Sequence, residues 1–333
     1  MKRAWLIVPW ALFLLVVAGW VFYWYAVAGG AEQKLAQWAD GERARGAQVT
    51  YGPVQRHGFP VLMRLELDNV HYRAARAQWS VDTPRIDLNI EMLDPGHVIF
   101  ASKAPMVLRH ADGATNTINA DTLVLSLHSR GATLVQDGIE AANLSITDSA
   151  KPGTLHITHA TMNLRPDPAA PTQYQLALTA TDVTLARPVR SFEPFGQNIA
   201  SIDAGIVIAQ GALLFAPSPT GDMLEPWRHA GGGAHFGMLA LKWGPLDAQG
   251  QGDAGLDDLH RLTGHLKLRL NHPGDAVSAM AQSENIPHDA KQALQAMALG
   301  LMLSNRHISF DVDAADGQLK IENASLRTLD PLY

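Results

Sequence analysis

The acidic residues with the most suggestive spacing lie near the C-terminus of the chain. Asp311 and Glu322 are placed like the first and twelfth ligands of an EF-hand calcium loop. However, Ala315 stands where that loop needs an oxygen ligand, and Asp316 stands where it needs glycine. The segment 314–317 therefore favours a hairpin turn between two strands over a calcium site.

Other residue types that could support catalysis or bind metal are scattered. The chain has 14 histidines and no cysteine, and no two histidines are spaced i, i+4 on a predicted helix. His156 and His159 would point to opposite faces of a predicted strand. Asp257 and Asp258 are adjacent, but they lack an identifiable acid or base partner and predict a solvated turn. We therefore expect no metal, no cofactor and no enzymatic activity.

The N-terminal segment carries the strongest single signal in the chain. Residues 4–31 contain no Asp, Glu, Lys, Arg or His, and a helix of roughly 20 such uncharged residues crosses a bilayer. Aromatic residues gather at the downstream end, as they do at membrane interfaces. The residues predicted to lie in the membrane or at its edge include Trp5, Leu6, Leu12, Leu15, Val17, Trp20, Tyr23 and Tyr25.

The charges flanking this segment predict its orientation. Lys2 and Arg3 precede it and Glu32 is the first charge after it, so the N-terminus is expected in the cytoplasm and the rest outside it. A cleaved signal peptide is the alternative, because Ala26-Val27-Ala28 fits a signal peptidase site. The length of the apolar run and its aromatic end favour a retained anchor. The mass of the mature protein would decide between them.

Composition limits the classes of partner. The net charge is -6 and the basic residues are spread thinly, which argues against nucleic acid. After the anchor, an alternating pattern of apolar and polar residues recurs between short turns, and it places Val61, Met63, Leu65 and Leu67 on one face of a strand. Short turns of this kind join antiparallel strands. The sequence predicts a mainly β fold: a transmembrane helix, then an elongated, curved antiparallel sheet with few helices and a late helix packed on it.

The predicted organisation has four parts. The parts are a cytoplasmic tip and anchor (1–30), a juxtamembrane helix (31–46), a first β-rich part (47–216), and a second β-rich part (217–333) with a helix near 287–303. Gly29-Gly30, at the end of the anchor, is expected to act as a swivel before the juxtamembrane helix.

The alternating apolar faces allow two interpretations. They could form a closed core, or part of one face could line a groove open to acyl chains. An inward face looks the same in both cases, and the sequence alone favours the closed core. The residues that would line such a groove are Leu123, Leu125, Leu127, Leu144, Ile146, Leu155, Ile157, Leu176 and Leu178.

Three short segments resemble one protein family. They are His57-Gly58-Phe59-Pro60 with Leu62-Met63-Arg64-Leu65, Lys242-Trp243-Gly244-Pro245-Leu246, and Gly317-Gln318-Leu319-Lys320-Ile321 with Asp330-Pro331-Leu332-Tyr333. The resemblance is to an uncharacterised family of Gram-negative envelope proteins, distantly similar to AsmA-like proteins. Asp330 departs from the proline usual there. The resemblance implies an inner-membrane anchor and curled periplasmic sheets, and it supplies no catalytic residue.

These observations lead to two functional hypotheses. The first is a single-pass protein of the bacterial inner membrane whose periplasmic part acts without enzymatic activity, in lipid handling or envelope homeostasis, by binding lipid or another apolar envelope ligand through an apolar concave sheet. The alternative is a structural or scaffold protein that docks envelope proteins through a sheet edge or an exposed patch. A hydrolase is a distant third, which would need perturbed carboxylates and histidines in one cleft.

Overall fold

The computed structural model describes residues 4–75, 79–102, 105–131, 133–214, 224–283, 288–304, 307–321 and 324–332. The chain forms two compact units. The first comprises Met1–Thr133 with Asp148–Lys151, and the second comprises Leu134–Thr147 with Pro152–Tyr333. The sequence placed its main boundary after Ala216, a residue outside the described part of the chain.

The chain begins with one long helix. Helix α1 (Ala4–Ala44) has 41 residues, and its N-terminal part is long and apolar enough to cross a membrane. Only 11% of that apolar stretch is buried within the protein. The predicted break at Gly29-Gly30 is wrong, because the helix continues without interruption into residues 31–44.

The first unit then forms short and long strands. Their bounds are β1 (Gln48–Thr50), β2 (Gln55–His57), β3 (Leu62–Arg73), β4 (Trp79–Glu91), β5 (Asp94–Ser102), β6 (Met106–His110), β7 (Thr115–Asn119) and β8 (Thr122–Arg130).

All pairings within the first unit are antiparallel. Strands β1 and β2 share one edge of β3, which pairs with β4 along its length. Strands β5 and β6 share the other edge of β4, and they continue to β8 and β7 respectively. The sheet therefore splits beyond β4 into two branches, and the β5–β8 branch pairs with the end of β4 nearest Glu91.

The core of this unit lies between the sheet and α1. Met63 and Leu65 are fully buried, as the alternating pattern predicted, together with Leu67, Leu88 and Ile90. They contact Trp24 and Ala28 of α1. The sequence also placed Val61 on this face, which is wrong: Val61 precedes β3 in a tight bend and is exposed.

The second unit contains two short 3-10 helices, Arg190–Phe195 and Gly211–Leu214, together with the remaining strands and α-helices. They are β9 (Thr133–Asp148), β10 (Thr154–Asp167), β11 (Ala170–Thr184), β12 (Asn198–Ala209), α2 (Leu224–His229), β13 (Gly233–Trp243), β14 (Leu246–Leu256), β15 (Leu262–Asn271), α3 (Pro273–Ala281), α4 (His288–Ser304), β16 (Ile308–Ala315), β17 (Gln318–Ile321) and β18 (Ala324–Thr328).

The strands of the second unit form an antiparallel meander. Each strand from β9 to β18 pairs with the next one along the chain. The hairpin predicted at 314–317 is confirmed, because Ala315 pairs with Gln318 around Asp316-Gly317. Both turn residues have positive φ, as the tightest hairpin turns require. The mainly β, antiparallel architecture with an N-terminal helix is therefore confirmed.

Helices cover part of the second unit. The predicted late helix is present as α4, which packs on α3, and α3 in turn packs against β14. The sequence did not predict α3. Ala276 of α3 joins the core around Trp243, whose indole Nε1 donates a 2.9 Å hydrogen bond to the carbonyl of Gly196.

Gly244 is required by the turn between β13 and β14. Its φ is +52°, and an added Cβ would collide with the carbonyl oxygen of Phe195. We expect Gly244→Ala to lower the free energy of unfolding of the second unit by more than about 1 kcal/mol. Gly237→Ala is the matched control: Gly237 has no positive φ, and its added Cβ would lie 3.9 Å from the nearest atom.

The control should change stability by no more than about 0.5 kcal/mol. Guanidinium titration of the full chain in mild detergent, followed by circular dichroism, compares the two variants. Equal midpoints would contradict the strain assigned to Gly244.

Candidate functional site

The C-terminal part of α1, from Trp20 onward, presents a continuous apolar stripe to the first sheet. The stripe has helical spacing of three and four residues, which keeps its members on one side of the helix. Its members are buried or half-buried: Trp20, Trp24, Ala28, Ala31, Leu35 and Ala39. Alanine at close contacts lets the helix lie near β1 and β3.

Polar contacts fix the helix on the sheet. Trp20 Nε1 donates to the carbonyl of Pro60 at 2.8 Å, and the Tyr23 hydroxyl donates to the carbonyl of Met92 at 2.8 Å. Further along, Arg56 of β2 forms two hydrogen bonds with the carboxylate of Glu32, one of them 2.6 Å long. These bonds hold the pKa of Glu32 below its usual value. The helix is thus attached to the first unit over much of its C-terminal half.

A large groove lies beside this attachment, within the first unit. It separates α1 from β4, β5 and β8 and has a volume of about 950 Å³. That volume is at the upper end of the range for small-molecule sites. Its apolar walls include Val27, Leu35 and Trp38 from the helix, and Leu88, Ile90, Val98, Phe100 and Leu127 from the sheet.

Charged and polar groups are confined to a few positions of the groove. Lys34 and Arg130 both line it, both are exposed, and neither has a carboxylate partner among the described residues. Asp94 also lines it, and its carboxylate lies 3.0 Å from Nε2 of His128. The groove therefore combines apolar walls with two positively charged side chains that are available to bind an anion.

The residue types of a hydrolytic triad occur here without its geometry. Ser129 lines the groove, but the adjacent His128 points to the opposite face of β8, as neighbouring residues in a strand do. A nucleophile and its base must lie within hydrogen-bond reach. Ser129 and His128 therefore do not form a nucleophile and base pair in this groove.

The predicted groove residues divide between the two units. Leu123, Leu125 and Leu127 belong to β8 in the first unit, and of these Leu127 lines the groove. The other six lie in β9, β10 and β11 of the second unit. There, Leu144 pairs with Ile157, Ile146 pairs with Leu155, Leu176 lines a separate cavity of about 430 Å³, and Leu178 is half-buried. The nine residues therefore do not share one groove.

Most of the groove was missed by reasoning from the sequence. Val98 and Phe100 alternate along β5, but the run is short and follows the turn-type residues Asp94-Pro95-Gly96. The stronger signal is on the helix, where the apolar stripe continues past the last residue needed to cross a membrane. A membrane anchor has no need of such a stripe beyond the bilayer.

The predicted membrane residues all lie in α1, including Trp5, Leu6, Leu12, Leu15 and Val17. At the downstream end, Tyr25 is exposed and its ring packs edge-on against Trp24. Trp24 is 3% exposed and is part of the core, although its position suggested an aromatic belt alone.

The other candidates for chemistry occupy structural positions. Asp257 accepts hydrogen bonds from the backbone of Leu259 and from Arg261, whose guanidinium holds the pKa of Asp257 low. The predicted turn there is confirmed. Within the described residues, no cluster of three or more histidine, aspartate and glutamate side chains could hold a metal ion.

Comparison with known proteins gives one match. The family model described as "Uncharacterized protein conserved in bacteria (DUF2125)" matches residues 24–325. Neither a curated protein nor a solved structure matches the chain. The matched residues begin at Trp24, the first core residue of α1, and include the whole groove.

Proposed function

Since the chain belongs to the DUF2125 family of bacterial proteins, we propose that it is a single-pass inner-membrane protein that binds envelope lipid in the groove of its first unit. The observation that carries this proposal is the groove of about 950 Å³ between α1 and the sheet. Its walls are mainly apolar, and the helix that forms one wall leads directly into the membrane span. The activity is non-enzymatic lipid handling.

The orientation follows from charge. Lys2 and Arg3 hold the N-terminus in the cytoplasm, so both sheet units lie in the periplasm. Retention of the anchor is supported by the core packing, since a cut after Ala28 would remove Trp24 and Ala28 from the core. The AsmA-like resemblance of the sequence agrees with this location.

The lining of the groove suggests the chemistry of the ligand. Each methylene buried against apolar walls contributes about 0.8 kcal/mol, so an acyl chain is the natural occupant. Lys34 and Arg130 would face an anionic group at the groove's edge. The ligand class is an anionic amphiphile such as a phospholipid.

A photoactivatable phospholipid in bilayers containing the full chain tests the proposal. Lipid contacting only the anchor would label residues 4–23, whereas lipid in the groove must also label peptides around residues 27–38 and 96–100. We expect labelling of both groups, with the groove peptides protected by excess unlabelled phosphatidylglycerol. Labelling confined to the anchor would contradict lipid binding in the groove.

The scaffold alternative has its own supporting observation. The face of α4 that points away from α3 exposes apolar side chains, with Leu299 and Leu303 one helical turn apart. Such a patch marks protein interaction sites. A photoreactive residue at position 299, compared with one at the exposed Gln292 of the same helix, would capture a protein if this function holds. Capture of a protein there, with no lipid in the groove, would favour the scaffold.

A further inference from the structure

One end of the first sheet carries exposed apolar residues at two neighbouring loops. We call residues 58–62 and 92–93 the membrane-proximal tip. Val61 is 77% exposed and Leu93 is 89% exposed, and Phe59 is more than half exposed. Neither loop contains an ionisable side chain. Exposed apolar side chains grouped in this way mark a surface that contacts lipid or protein.

The tip is attached to α1 at a defined height. The carbonyls of Pro60 and Met92 accept the hydrogen bonds of Trp20 and Tyr23, and the ring of Phe59 packs edge-on against Trp24 with centroids 5.6 Å apart. Counted from Ala4, Tyr23 is the last residue of a span of about 20 residues, or about 30 Å. That is the thickness of the hydrocarbon layer, so Trp20 and Tyr23 lie at its outer boundary.

Charged residues begin directly beyond the tip. His57 and Arg64 bracket the first loop, and Glu91 and Asp94 bracket the second. The apolar residues lie at the end of the sheet, and the charged residues follow them directly. In a bilayer, the acyl chains and the polar headgroups follow one another in the same order. Indole and phenol groups prefer the same boundary.

We propose that the membrane-proximal tip inserts into the periplasmic leaflet of the bilayer and that the occupant of this surface is lipid. The helix fixes the tip at the level of the acyl-headgroup boundary, and Val61 and Leu93 enter the leaflet. Val27, a residue of the groove wall, is one helical turn beyond Trp24. The groove then begins about 5 Å farther along α1 from the membrane span than the tip. The inference rests on the anchor of the proposed function and not on lipid binding in the groove.

Single cysteines test the insertion, because the natural chain has none. The variants Val61→Cys and Leu93→Cys carry an environment-sensitive fluorophore, in full-length protein reconstituted into phosphatidylethanolamine and phosphatidylglycerol vesicles. Ala111→Cys is the aqueous control, since Ala111 is exposed in the β6–β7 turn, beside the opposite end of β4. Leu15→Cys, exposed near the middle of the apolar run, is the membrane control.

Lipids with a nitroxide near the headgroup should quench the labels at 61 and 93 at least twofold more than the label at 111. A nitroxide deep in the acyl chain should quench the label at 15. If the label at 15 is quenched while 61 and 93 behave like 111, the tip lies outside the bilayer and the inference is wrong, with the anchor intact. If the label at 15 is not quenched either, the anchor is wrong as well. Protection of 61 and 93 from aqueous iodide without nitroxide quenching would show that a second copy covers the tip, which also contradicts insertion.

Discussion

Trp24→Ala should lower the free energy of unfolding of the first unit by about 3–5 kcal/mol, the usual loss for a large aromatic side chain removed from a core. Trp24 is 3% exposed and packs in one cluster with Met63, Leu65 and Ala28. Its indole Nε1 also donates to the carbonyl of Leu62 at 3.3 Å. The substitution removes both the packing and the bond, and the cavity lies where α1 meets the sheet.

Hydrogen exchange of the full chain in mild detergent measures this loss within the first unit. Amides of β3 and β4 should exchange roughly a hundredfold faster or more, because each 1.4 kcal/mol is about tenfold. Phe22→Ala is the matched control, two residues away on the same helix and 76% exposed. It should alter protection by less than about 0.5 kcal/mol. Equal effects of the two substitutions would mean that Trp24 acts through the bilayer and not through the core.

The same packing bears on signal-peptide cleavage. Cleavage after Ala28 would uncover part of the apolar face of β3 and β4, because Trp20, Trp24 and Ala28 would leave with the signal peptide. The mature protein should therefore have the mass of the chain that still contains residues 1–28. Loss of those residues from protein extracted from membranes would contradict both the retained anchor and the core assignment.

Local patterns predicted strands such as β3 because one face of the strand is turned to a core. The alternation of Met63, Leu65 and Leu67 is set by burial against α1, and the pattern is visible without knowing the partner. Turns such as Asp316-Gly317 were predictable because positive φ restricts the residue types. The continuity of α1 through Gly29 and Gly30 was not predictable in the same way, since these glycines weaken a helix only by propensity. Tertiary packing of the stripe on either side of them outweighs that weakness.

The candidate site was harder to predict because its walls are distant in sequence. Leu125 and Leu127 lie on the same face of β8 and are equivalent in its alternating pattern. Only Leu127 lines the groove, because α1 passes over one part of the strand. Half-buried leucines of the second unit, such as Leu176, carry the same pattern without any relation to α1. The position of α1 determines where the groove lies, and no local pattern in the strands predicts the position of α1.

Gly30→Trp should weaken binding of a phospholipid probe by at least about tenfold. Gly30 lines the groove, and a Cβ added there would meet no atom within 4 Å, so the indole can occupy the groove without displacing the backbone. Excluding as few as two methylenes of an acyl chain costs about 1.6 kcal/mol, which corresponds to a little over tenfold in affinity. The fold should not suffer, because replacing glycine within a helix favours the helix.

Gly29→Trp is the control for this prediction. Its added Cβ would also meet no atom within 4 Å, it adds the same side chain to the same helix, and Gly29 does not line the groove. Both variants are reconstituted as full chains and titrated with a fluorescent phosphatidylglycerol, with hydrogen exchange as the measure of folding. We expect Gly29→Trp to bind within about twofold of the natural protein. If both variants bind the probe equally well, the lipid site lies elsewhere, because a filled groove cannot hold an acyl chain.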